Sequence, residues 1–264
     1  MKIVITGSTG SIGKKVCEIL AGQKKEIISF SKSVGLSVEN RPQVKEVFKN
    51  SDYVIHMAAE KRGSTISKIV ETNIIGSKIV LEEAANLRIP VKLISSTEAL
   101  LAWHKPYGAS KYMMEQLGLE KVNDTIVNIV RFPTVWGSEE SIVEKWINSV
   151  IRGDPIEVFL FSGEPKKKFF ITIDEAAKAC ADLELKPSGN IDCSYEKVID
   201  CMILAEAIIK FFGKGSISKI ERDGYPYEII DEGISSGDID SIDVDDAVVI
   251  IKEIYDRQFH FNKI

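Results

Sequence analysis

The chain has 264 residues, 44% apolar and 28% charged, with 18 Gly and 8 Pro, which excludes fibrous and low-complexity classes and leaves one large or two joined domains. Its 34 Lys and Arg against 39 Asp and Glu give a net charge of -5, so no chain-wide field attracts nucleic acid or anionic lipid, and neither is expected as a partner. No apolar run reaches the length of a membrane span, and the first is too brief for a signal peptide, so a soluble cytoplasmic protein is expected. Cys17, Cys180, Cys193 and Cys201 form no CxxC pair and lie in apolar patterns, which reads as reduced core thiols rather than disulfides or a metal site.

In chain order, β-branched runs predict strands over 2–6, 26–31, 53–57, 91–95 and 125–130, with helical patterns between them. The first helix carries Ile12, Val16, Ile19 and Leu20 on one face and stops at Gly22. Continuous apolar strands joined by helices imply a parallel sheet covered on both faces, a doubly wound α/β (Rossmann) domain over 1–135. Beyond it, Gly and Pro punctuation around 153–155, 163–165 and 186–189 separates shorter elements. Residues 136–264 therefore read as a smaller, interleaved substrate domain with some elements returning to the first sheet. The acidic stretch 231–246 reads as a solvated loop before a final helix.

After the first strand comes Thr6-Gly7-Ser8-Thr9-Gly10-Ser11-Ile12-Gly13, three glycines spaced three apart at the opening of a helix. Gly7 permits a tight turn, Gly10 lets backbone N–H groups approach a pyrophosphate, and Gly13 lets the helix pack closely on the sheet. The helix N-terminus then favours the phosphate charge, so Gly7, Ser8, Thr9, Gly10, Ser11, Ile12 and Gly13 form the expected dinucleotide cradle. A carboxylate some way on would bind the adenosine ribose of NAD, yet no Asp or Glu lies between Glu26 and Glu39. The second strand ends Phe30-Ser31-Lys32-Ser33, and two hydroxyls with an ammonium suit a 2′-phosphate, which an aspartate would repel. NADP is therefore expected ahead of NAD, against the bland reading of Lys32 as an exposed surface lysine.

Tyr107-Gly108-Ala109-Ser110-Lys111 sets a phenol and an ammonium one helical turn apart. Tyrosine is a poor base at neutral pH, but a nearby cation favours its phenolate. Upstream, Ser95-Ser96-Thr97 places hydroxyls at the carboxyl end of the fourth strand, where Thr97 can orient a substrate hydroxyl toward Tyr107. The alternative is a capped strand followed by an ordinary amphipathic helix.

With these motifs the sequence resembles the extended short-chain dehydrogenase/reductase family, in its nucleotide-sugar epimerase and dehydratase branch. Further carriers of the resemblance are Asp52-Tyr53-Val54-Ile55-His56-Met57-Ala58-Ala59, Asn73 in Thr72-Asn73-Ile74-Ile75-Gly76-Ser77, and Arg131-Phe132-Pro133-Thr134-Val135-Trp136-Gly137. The resemblance implies catalysis by Thr97, Tyr107 and Lys111, and cofactor contacts from Val38, Ala58, Ala59, Asn73, Tyr107 and Lys111 beside the glycine turn, Ser31 and Lys32. It implies substrate contacts from Glu98, Arg131, Thr134 and Lys168, and a homodimer built on helices 65–87 and 108–122. There Ile74, Ile75, Ile79, Val80, Met113, Met114 and Leu117 exceed the apolar surface that one sheet-facing stripe needs.

The expected activity is NAD(P)-dependent epimerisation or redox on a sugar, which the resemblance implies to be nucleotide-linked. A reductase of a small carbonyl compound and a cofactor-binding sensor without catalysis stand as alternatives. Departures from the family bear on the substrate. Ser37 replaces an adenine-contacting aspartate, Thr134 an asparagine and Lys168 an arginine, and only nine residues separate Thr97 from Tyr107. Glu98 falls where dehydratases place an acid, but Ala99 replaces the glutamate that follows it. His104 reads as a loop histidine with some prospect of reaching the pocket, His56 as packing near the cofactor, and Trp103 and Trp136 as aromatic core or pocket lining.

Overall fold

The computed structural model describes residues 1–61, 63–102, 105–137, 141–193, 197–223 and 240–259, with backbone alone at 240 and 257–259. Trp103, His104 and most of the acidic stretch lie outside the described residues. The chain forms two compact units: Met1–Pro133 with Asp174–Ser194, and Thr134–Ile173 with Tyr195–Ile264.

The first unit begins β1 (Lys2–Thr6), α1 (Ser11–Gly22), β2 (Glu26–Phe30), α2 (Arg41–Phe48) and β3 (Tyr53–His56). A helix then starts as α3 (Ile66–Ile69), passes through a π-helical turn at Val70–Gly76 and continues as α4 (Ser77–Leu87). Next come β4 (Val91–Ser96), a 3-10 turn (Thr97–Leu101), α5 (Pro106–Glu120) and β5 (Val127–Phe132). After β6 (Thr134–Trp136), α6 (Ile142–Arg152), β7 (Ile156–Phe161), β8 (Glu164–Pro165) and β9 (Lys167–Thr172), the chain returns with α7 (Ile173–Ala181) and β10 (Ile191–Cys193). It ends in β11 (Lys197–Asp200), α8 (Cys201–Phe212), β12 (Ile217–Arg222), β13 (Asp240–Ser241) and α9 (Val244–Phe259). The final helix thus begins inside the stretch read as loop.

In the first unit six strands run β10-β5-β4-β3-β1-β2, and every pairing is parallel. The order reverses at β1, so the carboxyl ends of β1 and β3 flank a topological switch point, where open α/β sheets bind ligands. Val4, Val54, Leu93, Val127 and Ile129 fill the sheet interior and are fully buried, each worth about 1.5–3 kcal/mol relative to exposure. Asn40 caps α2 by accepting from the Gln43 N–H at 3.2 Å, with Pro42 in the first turn. α1 ends at Gly22, and the left-handed residue that follows it is Lys24.

β5 starts two residues later than its apolar run predicts, because its start is set by the returning segment. Ser188 Oγ accepts from the Val127 N–H at 3.1 Å, and the Gly189 N–H donates to the Val127 carbonyl at 2.8 Å. Lys92 on β4 is buried and donates to the Ala179 carbonyl (2.9 Å) and the Asp182 carbonyl at the end of α7. That cation satisfies carbonyls which a helix C-terminus leaves without intrahelical donors. Cys180 and Cys201 are buried as expected, whereas Cys17 is half-buried and Cys193, at the carboxyl end of β10, is exposed.

The second unit has a mixed sheet β13-β11-β9-β6 and a second sheet β12-β7-β8. Trp136 stacks on Phe170 with centroids 3.6 Å apart, over a core that includes Val143, Ile147, Leu204, Ile208 and Ile251.

Candidate active site

The glycine turn leaves β1 at the switch point. Gly7 adopts φ +72° and its amide donates to the Phe30 carbonyl at 2.8 Å, tying the turn to the end of β2. A Cβ on Gly7 would lie 2.9 Å from the Ala58 nitrogen, and one on Gly13 would lie 2.3 Å from the Gly7 carbonyl oxygen. Gly10 caps α1 with its backbone alone, and the first turn holds no acidic residue, so the positive end of the helix is not offset by a side chain. This cradle fits a dinucleotide pyrophosphate: the backbone approaches closely at Gly7 and Gly13, and the helix start has no acidic side chain in its first turn.

Thr6, His56 and Ser77 brace the turn from below. Thr6 Oγ1 accepts from the Met57 and Ala58 amides, each at 3.1 Å, and lies 2.7 Å from His56 Nδ1. With the acceptor positions of that hydroxyl engaged, its proton faces Nδ1, which leaves the imidazole proton on Nε2, 2.8 Å from Ser77 Oγ. Burial, reinforced by the charge of Lys111, pushes His56 down to about 3, so a neutral imidazole links β1, β3 and α4.

At the end of β2 three hydroxyls close a ring. Thr9 Oγ1 donates to Ser31 Oγ (3.2 Å), Ser31 and Ser33 share a hydrogen bond (3.0 Å), and Ser33 Oγ donates to Thr9 Oγ1 (2.9 Å). Lys32 does not stand alone beside them. Its ammonium pairs with Glu39 at 2.8 Å, lies 3.8 Å from Glu60, and donates to Thr72 Oγ1 at 3.2 Å. Partial burial raises the Glu39 pKa, but hydrogen bonds from Lys32, Ser37 and Thr72 outweigh it and hold the carboxyl at about 2. Val38 is buried against Gly76, where a Cβ would meet Val38 Cγ2 at 2.6 Å.

Tyr107 and Lys111 lie together on α5, with the Lys111 nitrogen 5.9 Å from the centre of the Tyr107 ring. Lys111 is buried and donates to the Ile94 carbonyl at 2.9 Å. Burial pushes its pKa down to about 8 against the opposing charge of Glu115. Thr97 opens the 3-10 turn after β4, which approaches α5 so closely that a Cβ on Gly108 would meet the Glu98 carbonyl oxygen at 2.5 Å. Asn73, inside the π-helical turn, is fully buried. It accepts from the Glu60 amide (2.7 Å) and donates to the Glu60 carbonyl (3.1 Å) and to Ser110 Oγ (2.9 Å). Ser110 Oγ in turn donates to the Tyr107 carbonyl at 2.7 Å, which fixes the start of α5. A π turn that re-aims one polar residue is a frequent device at functional sites.

Arg131 forks onto Glu115, with Nε at 2.9 Å from Oε1 and a terminal nitrogen at 2.7 Å from Oε2. Ser95 Oγ donates to the same carboxylate at 2.5 Å. The guanidinium is thereby committed to a buried pair that joins β4, α5 and β5. Thr134 and Lys168 belong to the second unit, Thr134 in register with Phe170 and Lys168 with Ile199. Sequence reasoning passed over Glu115, although its spacing of four from Lys111 puts it on the same helix face. It also passed over the meeting of Glu39 and Glu60 with Lys32, for which the sequence holds no local signal.

A parallel sheet with a glycine turn at its switch point and a Tyr–Lys pair on the helix after β4 defines an extended short-chain dehydrogenase/reductase, an enzyme of the NAD-dependent epimerase/dehydratase type. The chain belongs to the polysaccharide biosynthesis protein family, which it matches over residues 22–224. It is 26% identical over 245 residues to UDP-glucose 4-epimerase of Rickettsia akari (strain Hartford), an alignment that spans 80% of this chain and 71% of the relative. The X-ray structure of Pen from Bacillus thuringiensis is similar at a TM-score of 0.72 and 25% identity, over 86% of this chain and 78% of that one. The fold is also that of dTDP-glucose 4,6-dehydratase from Bacillus anthracis str. Ames in complex with NAD. There the TM-score is 0.78 at 17% identity, over 99% and 98% of the two chains.

Proposed function

We propose that this enzyme binds NAD(P) and acts on a nucleotide-linked sugar, with epimerisation as its reaction. The observation that carries the proposal is the buried Lys111 beside Tyr107, held on the same unit as the glycine cradle. The similarity to UDP-glucose 4-epimerase and to a sugar dehydratase structure with NAD supports the substrate class and the cofactor type.

When bound, the dinucleotide supplies a hydride acceptor for the sugar carbon and gives the hydride back. Tyr107 takes the proton of the sugar hydroxyl as that carbon is oxidised and returns it on reduction. Lys111 holds positive charge beside the phenol, which favours negative charge on its oxygen, and binds the nicotinamide ribose. Thr97 orients the sugar hydroxyl toward Tyr107. Glu98 in the 3-10 turn contacts the sugar nucleotide, whereas Arg131 serves the substrate by holding β5 to α5 through Glu115. Ser31 and Ser33 offer hydroxyls to a 2′-phosphate where an aspartate would repel it, which supports NADP ahead of NAD.

Incubation with a panel of nucleotide sugars, followed by product mass and stereochemistry, tests the reading. Unchanged mass with altered stereochemistry is expected. Gain of two hydrogens with NADPH oxidation would shift the assignment to a carbonyl reductase, the reading favoured by the short segment between Thr97 and Tyr107. Dinucleotide binding with no turnover of any sugar nucleotide or carbonyl would leave the non-catalytic sensor.

A homodimer belongs to the same proposal, on a revised set of residues. Ile79, Val80 and Met114 are buried in their own unit and leave no surplus. The exposed large apolar side chains of these helices are Ile66 (65%), Val70, Ile75, Leu87, Tyr112 and Met113 (44%). Light scattering at micromolar protein should give twice the monomer mass.

A further inference from the structure

We propose that Glu39 is a specificity-determining residue of the dinucleotide site: its carboxylate occupies the Lys32 ammonium and withholds it from a 2′-phosphate. The inference rests on the dinucleotide reading above and adds the group that sets the choice between NAD and NADP.

The geometry places the pair at the adenosine end of the cradle. Lys32 directly follows Ser31, which takes part in the hydroxyl ring with Thr9 of the glycine turn, and the turn itself is tied to Phe30 at the end of β2. A 2′-phosphate lying on Ser31 and Ser33 would therefore lie beside Lys32, the residue between them. In the structure that cation is already engaged. Glu39 lies 2.8 Å away and Glu60 3.8 Å away, so two carboxylates face one ammonium. Glu39 is also fixed from its other sides, by Ser37 Oγ on Oε2 and by Thr72 Oγ1 on Oε1. Thr72 is buried on the π-helical turn that carries Asn73, so the carboxylate is held by the fold rather than by a mobile surface contact. Lys32 is 59% exposed and Glu39 23%, so the lysine is the partner free to move.

The electrostatic consequence differs for the two cofactors. A 2′-hydroxyl is neutral and can join the ring of Thr9, Ser31 and Ser33 without disturbing the ion pair. A phosphate brings about two negative charges and must either draw Lys32 from Glu39 or lie close to both carboxylates, where like charges oppose it. Glu39 thus reduces an NADP preference that the hydroxyls and Lys32 would otherwise give.

The test is calorimetric binding of NADPH and of NADH to four full-length proteins: wild type, Glu39→Gln, Lys32→Gln and the double variant. Glu39→Gln should tighten NADPH about fivefold, the scale of one partly exposed ion pair, while NADH stays within about twofold. Lys32→Gln should cost more NADPH affinity in the Glu39→Gln background than in wild type, since only there is the ammonium free to reach the phosphate. Lys32 is exposed enough that its replacement leaves folding unaffected, which keeps the cycle readable. An unchanged NADPH affinity in Glu39→Gln, an equal change for both cofactors, or an equal Lys32→Gln effect in both backgrounds overturns the role of Glu39 and leaves the dinucleotide site standing. Failure of the wild type to bind either dinucleotide overturns the site itself, and the role of Glu39 with it.

Discussion

Lys92 and Lys111 are both buried in the first unit, one on β4 and the other on α5, yet they are held in different ways. Lys92 donates to two carbonyls at the end of α7 and so closes a helix terminus that the chain brings back to the sheet after β9. Lys111 donates to one carbonyl, that of Ile94, and weakly to Met114 Sδ at 3.9 Å, and keeps its third donor beside the Tyr107 ring. Burial lowers the pKa of both. A lysine whose donors are spent on backbone serves the fold. A lysine with a donor in reserve beside a phenol carries a desolvation cost that the fold alone does not explain, and such groups concentrate at functional sites.

The largest effects should separate the two lysines by activity. Tyr107→Phe removes a single hydroxyl and should lower kcat by about 10²–10⁴, the range for loss of a general acid-base group, with dinucleotide affinity unchanged. Lys111→Met should fall in the same range and also weaken dinucleotide binding. Lys92→Met should keep kcat within about twofold of wild type. A comparable loss in Lys92→Met would erase the distinction between the two sites.

Stability should divide them in the opposite sense. Lys92→Met leaves the Ala179 and Asp182 carbonyls without their donor and should destabilise by about 1–3 kcal/mol in denaturant titration. Lys111→Met removes a desolvated cation and should be neutral or stabilising at pH 7. The pH dependence follows from the same burial. Lys111 titrates at about 8 in the folded chain against 10.5 for an ordinary lysine, so folding favours its neutral form. Its contribution to stability is therefore fully present above 10.5 and is lost as pH falls through about 8. Wild type should gain stability relative to Lys111→Met as pH rises from about 8 to about 10; parallel curves would show that the ammonium is not buried in solution.

The division between what the sequence discloses and what it conceals follows the range of the interactions. The bounds of β1, the glycine turn and the Tyr107–Lys111 spacing are local signals, carried within a few residues by apolar runs, by the absence of a Cβ and by the helical period. The start of β5 is set by Ser188 and Gly189, some sixty positions on, so a propensity reading begins it at Thr125 instead of Val127. The pairing of Arg131 with Glu115 is likewise a matter of which strand lies against α5, and no motif encodes it. Lys32 looks available in the sequence because the nearest following carboxylate is seven residues away. The loop between β2 and α2 brings that carboxylate back to it.

The smallest effect should come from Glu98, which completes the comparison by standing in the same turn as Thr97 without sharing its role. Removing water from a sugar requires one group to take a proton beside the transient ketone and another to protonate the departing hydroxyl. In the segment from Glu98 to Pro106, Glu98 is the one acidic side chain, and Ala99 follows it. Epimerisation requires only the reversible proton transfer at Tyr107. Glu98→Gln keeps the size and hydrogen-bonding capacity of the side chain and removes only its charge, so kcat for epimerisation should fall by no more than about fivefold, far short of the range for a lost acid-base group. The measurement is steady-state turnover of Glu98→Gln beside Tyr107→Phe on the same sugar nucleotide. A loss in Glu98→Gln that matched Tyr107→Phe, together with a product lighter by one water in the wild type, would move the enzyme from epimerase to dehydratase.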